Sequence, residues 1–300
     1  MTYSIVGRDP RTRELGVAVQ SRWLAVGSMV PWAEPGVGAV ATQSFTEVRY
    51  GPLGLALMRG GHSAPEALRA LLAGDDEEPL RQVAMVDAAG MVAAHTGSRC
   101  VAAAGHACGE GICAQANLME RDTVWAAMLA AYASAEGSLA ERLVAALEAA
   151  EAEGGDIRGR QSAALIVVSG SRQDPPWKRT VDLRVDDHPE PVAELRRLLR
   201  LHTAYRLMGE ANDAAATGDL VSAAAAMDEA GRLAPGNDQV TFRRGGSLMA
   251  VGRIDEGRAE IERARLANPR WALFLRRLAA AGLFPDDPAF LDAILPLERN

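Results

Sequence analysis

The sequence predicts an α+β fold in which β-sheets are covered by helices, followed by an all-α array. Two observations carry this. Up to about residue 186 the segments run strands, two helices, strands, two helices, strands. Past Pro189-Glu190-Pro191 the composition turns to almost pure helix and a repeat becomes visible. Strand and helix periods of this kind assign elements and layer class, while the topology stays open.

Residues 3–7 read as an apolar strand. Asp9-Pro10 turns the chain, and residues 14–21 return as a second strand, completing a hairpin. Residues 36–44 form a third strand rich in small side chains. Residues 50–59 and 64–72 are helical, the second opened by Ser63 or Ala64 with Pro65 in its first turn and Glu66 nearby. Residues 82–87 and 91–95 flank Ala88-Ala89-Gly90, a further hairpin, and residues 111–117 give another strand. An Ala/Leu/Glu-rich helical region covers roughly 121–152, and residues 163–169 and 180–186 supply the last strands.

In the helical part, Gly218-Asp219 repeats as Gly252-Arg253, Ala225 as Ala259, Ala230 as Ala264 and Pro235 as Pro269, all at an offset of 34. A 34-residue helix–turn–helix period with Gly at the turn and Pro near the end is the tetratricopeptide pattern. Two repeats, a preceding helix and a capping tail from Trp271 to Leu295 make a short array that is stable by docking on its neighbour. The expected domains are therefore 1–190 and 191–300.

Bulk properties exclude several function classes. The 300 residues are 48% apolar and 24% charged, with a net charge of -7 and no basic run, so nucleic acid is not an expected partner. No apolar run is long enough to cross a bilayer. The start lacks the basic and apolar stretches of a signal peptide, which makes the expected location cytoplasmic. Cys100, Cys108 and Cys113 are an odd number, which argues against a disulfide framework. With His106 they lack the paired knuckles of a zinc site. They are read as small buried or half-buried residues in a strand and its turn. No metal or cofactor is expected.

The start of the chain carries the sharpest chemical signal. If Met1 is removed, Thr2 becomes the first residue and bears a hydroxyl nucleophile and a free α-amine. A hydroxyl needs an adjacent base, and the amine, with an ordinary pKa of about 7.7–8.0, supplies one in the same residue. Polar groups gather where other strands end or are interrupted: Ser21-Arg22, Thr42-Gln43-Ser44, His95-Thr96-Gly97, Gln115-Ala116-Asn117, and the run from Gly154 to Ser162.

Together these segments resemble the DUF1028 family. The resemblance rests on Thr-Tyr-Ser-Ile-Val at 2–6, Glu-Leu-Gly-Val-Ala-Val-Gln-Ser-Arg at 14–22 and the segment from Val30 to Gln43. It continues through Ala-His-Thr-Gly at 94–97, Ala-Gly-His at 104–106, Gln-x-Asn at 115–117 and Gly-Gly-Asp-x-Arg-Gly-Arg-Gln-Ser-Ala-Ala at 154–164, covering about residues 2–188. It implies the N-terminal nucleophile (Ntn) hydrolase fold, a four-layer αββα sandwich with its nucleophile at the start of the first strand. Proteasome-like relatives carry a functional polar residue on the second strand just before a Thr-Arg or Ser-Arg pair, and Ser21-Arg22 occupies a similar place here. The acidic residue usual there is missing, as is a lysine near Thr42-Gln43. Peptidase machinery is thus not reproduced, and a small amide or imide becomes the expected substrate. Association of Ntn folds through their helical layers makes a homodimer a candidate assembly.

Physical chemistry then distributes roles. Thr2 attacks a carbonyl, and its amine relays the proton to the leaving nitrogen. Asn117 is the first candidate oxyanion donor, followed by Thr42 and Gln43. Arg22 and Arg160 suit a substrate carboxylate. Asp156 and Ser162 orient the terminal ammonium or the arginines, with Gln161 beside them. Ser4 shares a strand face with Thr2 and is a pocket neighbour. His95 is an acid/base candidate ahead of His106. The competing expectation is a catalytically idle binding or scaffold protein that recruits a partner through its helical repeats.

Overall fold

The computed structural model describes residues 2–282. Met1, on which the expected processing turns, and the part of the expected cap beyond residue 282 lie outside the described residues. The chain divides into two compact units, Met1–Leu199 and Arg200–Asn300.

The first unit holds two antiparallel sheets. Strands β1 (Thr2–Arg8) and β2 (Leu15–Ser21) form the expected hairpin. Strands β3 (Pro31–Glu34), β4 (Gly38–Ser44), β5 (Arg81–Asp87) and β6 (Val92–Thr96) make one sheet in that order. With β7 (Gly105–Gly109), β8 (Ile112–Asn117), β9 (Ser162–Val168) and β10 (Val181–Val185), the other sheet has the order β10-β9-β2-β1-β8-β7. Helices α1 (Tyr50–Arg59) and α2 (Ala64–Leu72) follow β4, and α3 (Val124–Ser134) and α4 (Leu139–Ala152) follow β8.

Strand alternation explains the packing, because successive side chains point to opposite faces. Tyr3, Ile5, Ala18 and Leu165 point outward onto Met128, Leu143 and Leu147 of α3 and α4. Val6, Val17, Val19 and Ile166 point inward and meet Ala39, Ala41, Ala84 and Val86 of the other sheet. That sheet's outer side chains, Val40, Val83 and Met85, pack on Tyr50, Leu55, Met58 and Leu68 of α1 and α2. Each sheet thus carries a helix pair outside and faces the other sheet inside.

Several elements differ from the sequence reading. The strand expected over 36–44 starts at Gly38, and Pro31–Glu34 before it is a separate strand; Gly36, at φ 63°, makes the turn between them. The edge strand β7 was not expected, since Gly-His-Ala-Cys-Gly shows no apolar alternation. The helical region 121–152 holds the two helices that the expected element order contains, parted at Gly137 (φ 99°) and restarted by a capping box between Ser138 and Glu141. The cysteine expectation is corrected: Cys108 and Cys113 are joined by a disulfide, while Cys100 is free. Counting cysteines misses this because the two are direct cross-strand partners in the β7–β8 hairpin, with Cα atoms 4.1 Å apart.

Two stability predictions arise here. Gly51 of α1 lies on the Trp32 indole, and a Cβ there would come within 2.3 Å of the ring. The ring cannot swing aside freely, because its Nε1 donates to the Met29 carbonyl at 2.9 Å. Gly51→Ala is expected to destabilise the unit by about 1–3 kcal/mol, overriding the roughly 1 kcal/mol helix-propensity gain, as read from urea unfolding. At the β1–β2 turn, Asp9 accepts from the Arg11 and Thr12 N–H groups at 2.7 and 3.0 Å and faces Arg142 of α4 at 3.4 Å. Burial alone would raise its carboxyl. The Thr12 and Arg11 amides and the Arg11 and Arg142 charges outweigh burial and hold it below its ordinary value. A depressed folded-state pKa stabilises above the unfolded-state value, and that stability is lost as pH falls through the folded-state value. Asp9→Asn should therefore lower Tm at pH 7, and the gap to wild type should close stepwise below about pH 4 in thermal melts.

Helix α5 (Pro191–Ala216) contributes Val192, Leu195 and Leu199 to the first unit's outer core. In the second unit, α6 (Leu220–Leu233), α7 (Asp238–Ala250), α8 (Ile254–Ala267) and α9 (Arg270–Ala280) pack as sequential neighbours. Ala204, Met208, Met227 and Val240 form one core there. Phe242, Ile261 and Leu275 form another, with Trp271 stacked on Phe242 at 4.5 Å between ring centroids. Among the described residues no helix is long and apolar enough to cross a membrane.

Candidate functional site

The inward face that is apolar along most of its length becomes polar at one end. Register places Thr2 opposite both Ser21 and Asn117, and Ser21 opposite Ser162, so four neighbouring strands finish in a row of Ser, Ser, Thr and Asn. The facing sheet contributes Gln43 and Gln82, themselves register partners. All six side chains lie on inward phases of their strands, and each residue is buried.

These groups are tied together by hydrogen bonds. Thr2 Oγ1 lies 2.9 Å from Ser21 Oγ. The Thr2 carbonyl accepts from Gln43 Nε2 at 3.0 Å and Asn117 Nδ2 at 3.4 Å. Gln82 Oε1 accepts from the same two amides at 2.7 and 2.8 Å. Gln82 Nε2 reaches Thr96 Oγ1, the Ala116 carbonyl and the Gly105 carbonyl at 2.9, 2.9 and 3.1 Å. Ser4 Oγ donates to Gln43 Oε1 at 2.7 Å and accepts from Gln115 Nε2 at 3.2 Å. Every amide–amide contact fixes the next one, which makes a rigid support for Thr2. Two atoms of this network, Asn117 Oδ1 and Gln115 Oε1, are buried and have no hydrogen-bond partner among the described residues.

Above this row opens a cavity of about 450 Å³. Thr2, Ser21 and Asn117 line its polar part, and Trp23, Val26, Met29, Val30, Phe45 and Val101 line the rest, together with Ser44, Thr46 and Arg158. Three non-glycine residues in or beside its walls hold positive φ: Ala25 at 52°, Ser44 at 71° and Leu118 at 56°. Such strained backbone collects where a site's shape is held by its surroundings.

The sequence candidates separate under this geometry. Thr2, Ser21 and Asn117 come together at the cavity, and Ser4 and Gln43 stand behind them. Asn117 does not present its N–H₂ to the cavity, since both bonds it makes are to Gln82 and to the Thr2 carbonyl, so its unpartnered group is an acceptor. Gln43 likewise spends its amide on Thr2 and Gln82. Thr42 is on the opposite face of β4, where its hydroxyl donates to the Glu47 carbonyl at 3.1 Å. Ser162 donates to the Trp23 carbonyl at 2.5 Å and accepts from Val26 N–H at 3.1 Å, so it shapes the cavity's wall.

Asp156 binds Arg158 through Nε and Nη2 at 3.2 and 2.9 Å and accepts from the Arg22 N–H at 3.3 Å. The Arg22 guanidinium donates to the Arg160 carbonyl at 3.2 Å. Arg160 is bridged between Glu151 and Glu190 and lines a different cavity with them. Glu151 also accepts from the outward-facing Tyr3 hydroxyl. Burial first, and the Glu151 charge next, push that hydroxyl well up, and burial raises Glu151. Gln161 donates to Asp187 at 3.1 Å at the surface. His95 pairs with Glu78 at 2.9 Å, away from the cavity lining. His106 meets Thr96 Oγ1 at 2.9 Å, and burial, then the neighbouring His95, hold its pKa down. Among the described residues no group of three or more His, Cys, Asp or Glu side chains is placed to hold a metal ion.

Sequence reasoning missed Gln82 and the apolar rim, and it gave Arg158 no role apart from its neighbours in the 154–162 run. The signal for Gln82 is an amide on the inward phase of β5, two residues before Ala84, in an otherwise apolar run. The rim residues come from separate loops and carry no common spacing.

A model of a family of unknown function, DUF1028, matches residues 2–195. The crystal structure of protein SPO2555 from Silicibacter pomeroyi, described with the same family, is similar with 31% sequence identity and a TM-score of 0.60. The similarity covers 66% of this chain and 88% of that one. No curated protein matches the chain.

Proposed function

Because the chain belongs to the DUF1028 family, whose function is not established, we propose from its site that the first unit is an N-terminal-nucleophile hydrolase. It cleaves a non-peptide C–N bond of a small amide or imide, with Thr2 as nucleophile once its α-amine is free. The observation that carries this reading is the position of Thr2. It begins a central strand, its hydroxyl faces a cavity, and its carbonyl is clamped by two buried amides. Sheets faced inward with helix pairs outside support the four-layer Ntn-like reading. In the second unit α8 begins at Ile254, 34 residues after Leu220 of α6, which supports a tetratricopeptide-like array.

In this mechanism Thr2 Oγ1 attacks the carbonyl carbon while the α-amine takes its proton. Ser21 Oγ, at hydrogen-bond distance, orients the hydroxyl. The resulting ammonium needs an acceptor, and the unpartnered Asn117 Oδ1, on the register partner of Thr2, fills that role. The ammonium then protonates the leaving nitrogen as the C–N bond breaks. Water hydrolyses the ester left on Thr2, regenerating the hydroxyl and releasing a carboxylic acid.

The test is intact mass and N-terminal sequencing of purified enzyme that hydrolyses a member of an amide and imide panel. The expected chain begins at Thr2. An active enzyme whose Thr2 amine is still acylated by a preceding residue would overturn the mechanism.

A further inference from the structure

The chemistry of the Thr2 cavity also limits what it can take. We propose that it binds an uncharged substrate with a ring-sized apolar body, such as an aryl-alkyl amide, and discriminates against anionic analogues. This deepens the hydrolase reading and rests on it only for turnover, since the binding claim stands on the walls of the cavity.

Size comes first. About 450 Å³, at the roughly 30 Å³ that a water-sized unit occupies in a liquid, has room for on the order of 15 non-hydrogen atoms. The walls come next. Trp23, Phe45 and Val101 are 58%, 57% and 44% exposed, and all three converge on this one cavity. Single exposed apolar residues are ordinary, but several large ones around a concave mouth mark a place where a ligand completes the burial.

Charge decides the rest. Arg158 is the one ionisable side chain lining the cavity among the described residues, and the Thr2 α-amine that the hydrolase reading adds there is uncharged in the form that acts as base. Two of its nitrogens are already on Asp156, whose side chain is wholly buried. Nearby, Arg160 is matched by Glu151 and Glu190. An anion entering here would lose its hydration and meet a guanidinium already neutralised by a buried carboxylate, which is unfavourable. A neutral amide loses little: its carbonyl reaches the Thr2 and Ser21 hydroxyls, and its body lies on the indole and phenyl rings.

Binding separates this proposal from catalysis. Full-length Thr2→Ala protein is titrated calorimetrically with 4-phenylbutanamide and with the same amide carrying a para-carboxylate on its ring. The neutral amide should bind at least about tenfold more tightly than the carboxylate. Trp23→Ala or Phe45→Ala, added to Thr2→Ala, should each weaken it by about tenfold, the value of one large apolar contact. Both side chains are exposed, so these variants test the wall without threatening the core. Trp177→Ala, which removes an indole 79% exposed and outside the cavity, should leave the affinity unchanged. Equal or tighter binding of the carboxylate, no binding of the neutral amide, or indifference to both wall substitutions would overturn the proposal. Binding without hydrolysis by an enzyme beginning at Thr2 would instead sink the nucleophile reading and leave the pocket assignment standing.

Discussion

Replacing Thr2 with alanine is expected to lower kcat for amide hydrolysis by at least about 10³-fold while leaving affinity for a neutral amide within a few-fold. The size follows from the proposed role of Thr2 as nucleophile: what survives the loss of a nucleophile in hydrolases is the rate that binding and electrostatics alone provide. The fold should survive. The anchors of Thr2 in the site run through its backbone carbonyl, which alanine keeps, to Gln43 and Asn117. Its ladder pairing with β2 and β8 is also main-chain. The one side-chain bond lost is that to Ser21, worth about 1 kcal/mol. Thr2→Ser keeps the hydroxyl and should retain measurable turnover. Steady-state kinetics with parallel urea melts check all three points, and Thr2→Ala activity within tenfold of wild type would remove Thr2 from the chemistry.

Much of the frame was legible because it is written in short periods. Strands β1, β2, β5 and β9 show their apolar runs, and Ser63, one of the two residues expected to open α2, caps it in a capping box with Glu66. Edges were harder. β3 and β7 lie at sheet ends, where packing demands on the sequence are weakest and Gly, Pro and His are tolerated.

The site divides along similar lines. Thr2, Ser21 and Asn117 could be found as polar residues ending apolar strands. Thr42 and Gln43 could not be separated without the register, because neighbours on a strand face opposite ways and only Gln43 faces inward. Arg158 and Arg160 sit two residues apart in one loop, yet the first lines the Thr2 cavity and the second lines another. Nothing in the composition of Gly154 to Ser162 encodes that division. It follows from where Asp156 and Glu151 end up. The rim was illegible for a plainer reason, since Trp23, Phe45 and Val101 meet only after three strands have set their loops side by side.

Gln82→Leu is expected to cost about 2–4 kcal/mol of stability and to lower kcat by about 10²-fold with little change in KM. The side chain is fully buried and central to the amide network. Leucine fills nearly the same volume but neither donates nor accepts. The Thr96 hydroxyl and the Gly105 and Ala116 carbonyls lose a donor, while the Gln43 and Asn117 amides lose an acceptor. Leaving a buried polar group unpaired costs about 1–3 kcal/mol. The total stays below five such losses because Gln43 and Asn117 keep the Thr2 carbonyl as a second partner. The kinetic effect arises at Asn117. With Gln82 Oε1 gone, its amide is held only by the 3.4 Å contact to Thr2 and can rotate. Its Oδ1, the acceptor proposed for the Thr2 ammonium, then no longer sits in a fixed place, and a small misplacement of a catalytic group is amplified in the rate. KM should hold because Gln82 does not line the cavity. Gln82→Glu supplies the discriminating arm. A buried carboxyl tends to stay protonated, and in that form it both accepts and donates. Its kcat relative to wild type should therefore recover as pH is lowered, whereas that of Gln82→Leu should not. A Gln82→Leu enzyme that melts earlier but keeps its kcat would make the network a structural staple with no part in positioning Asn117.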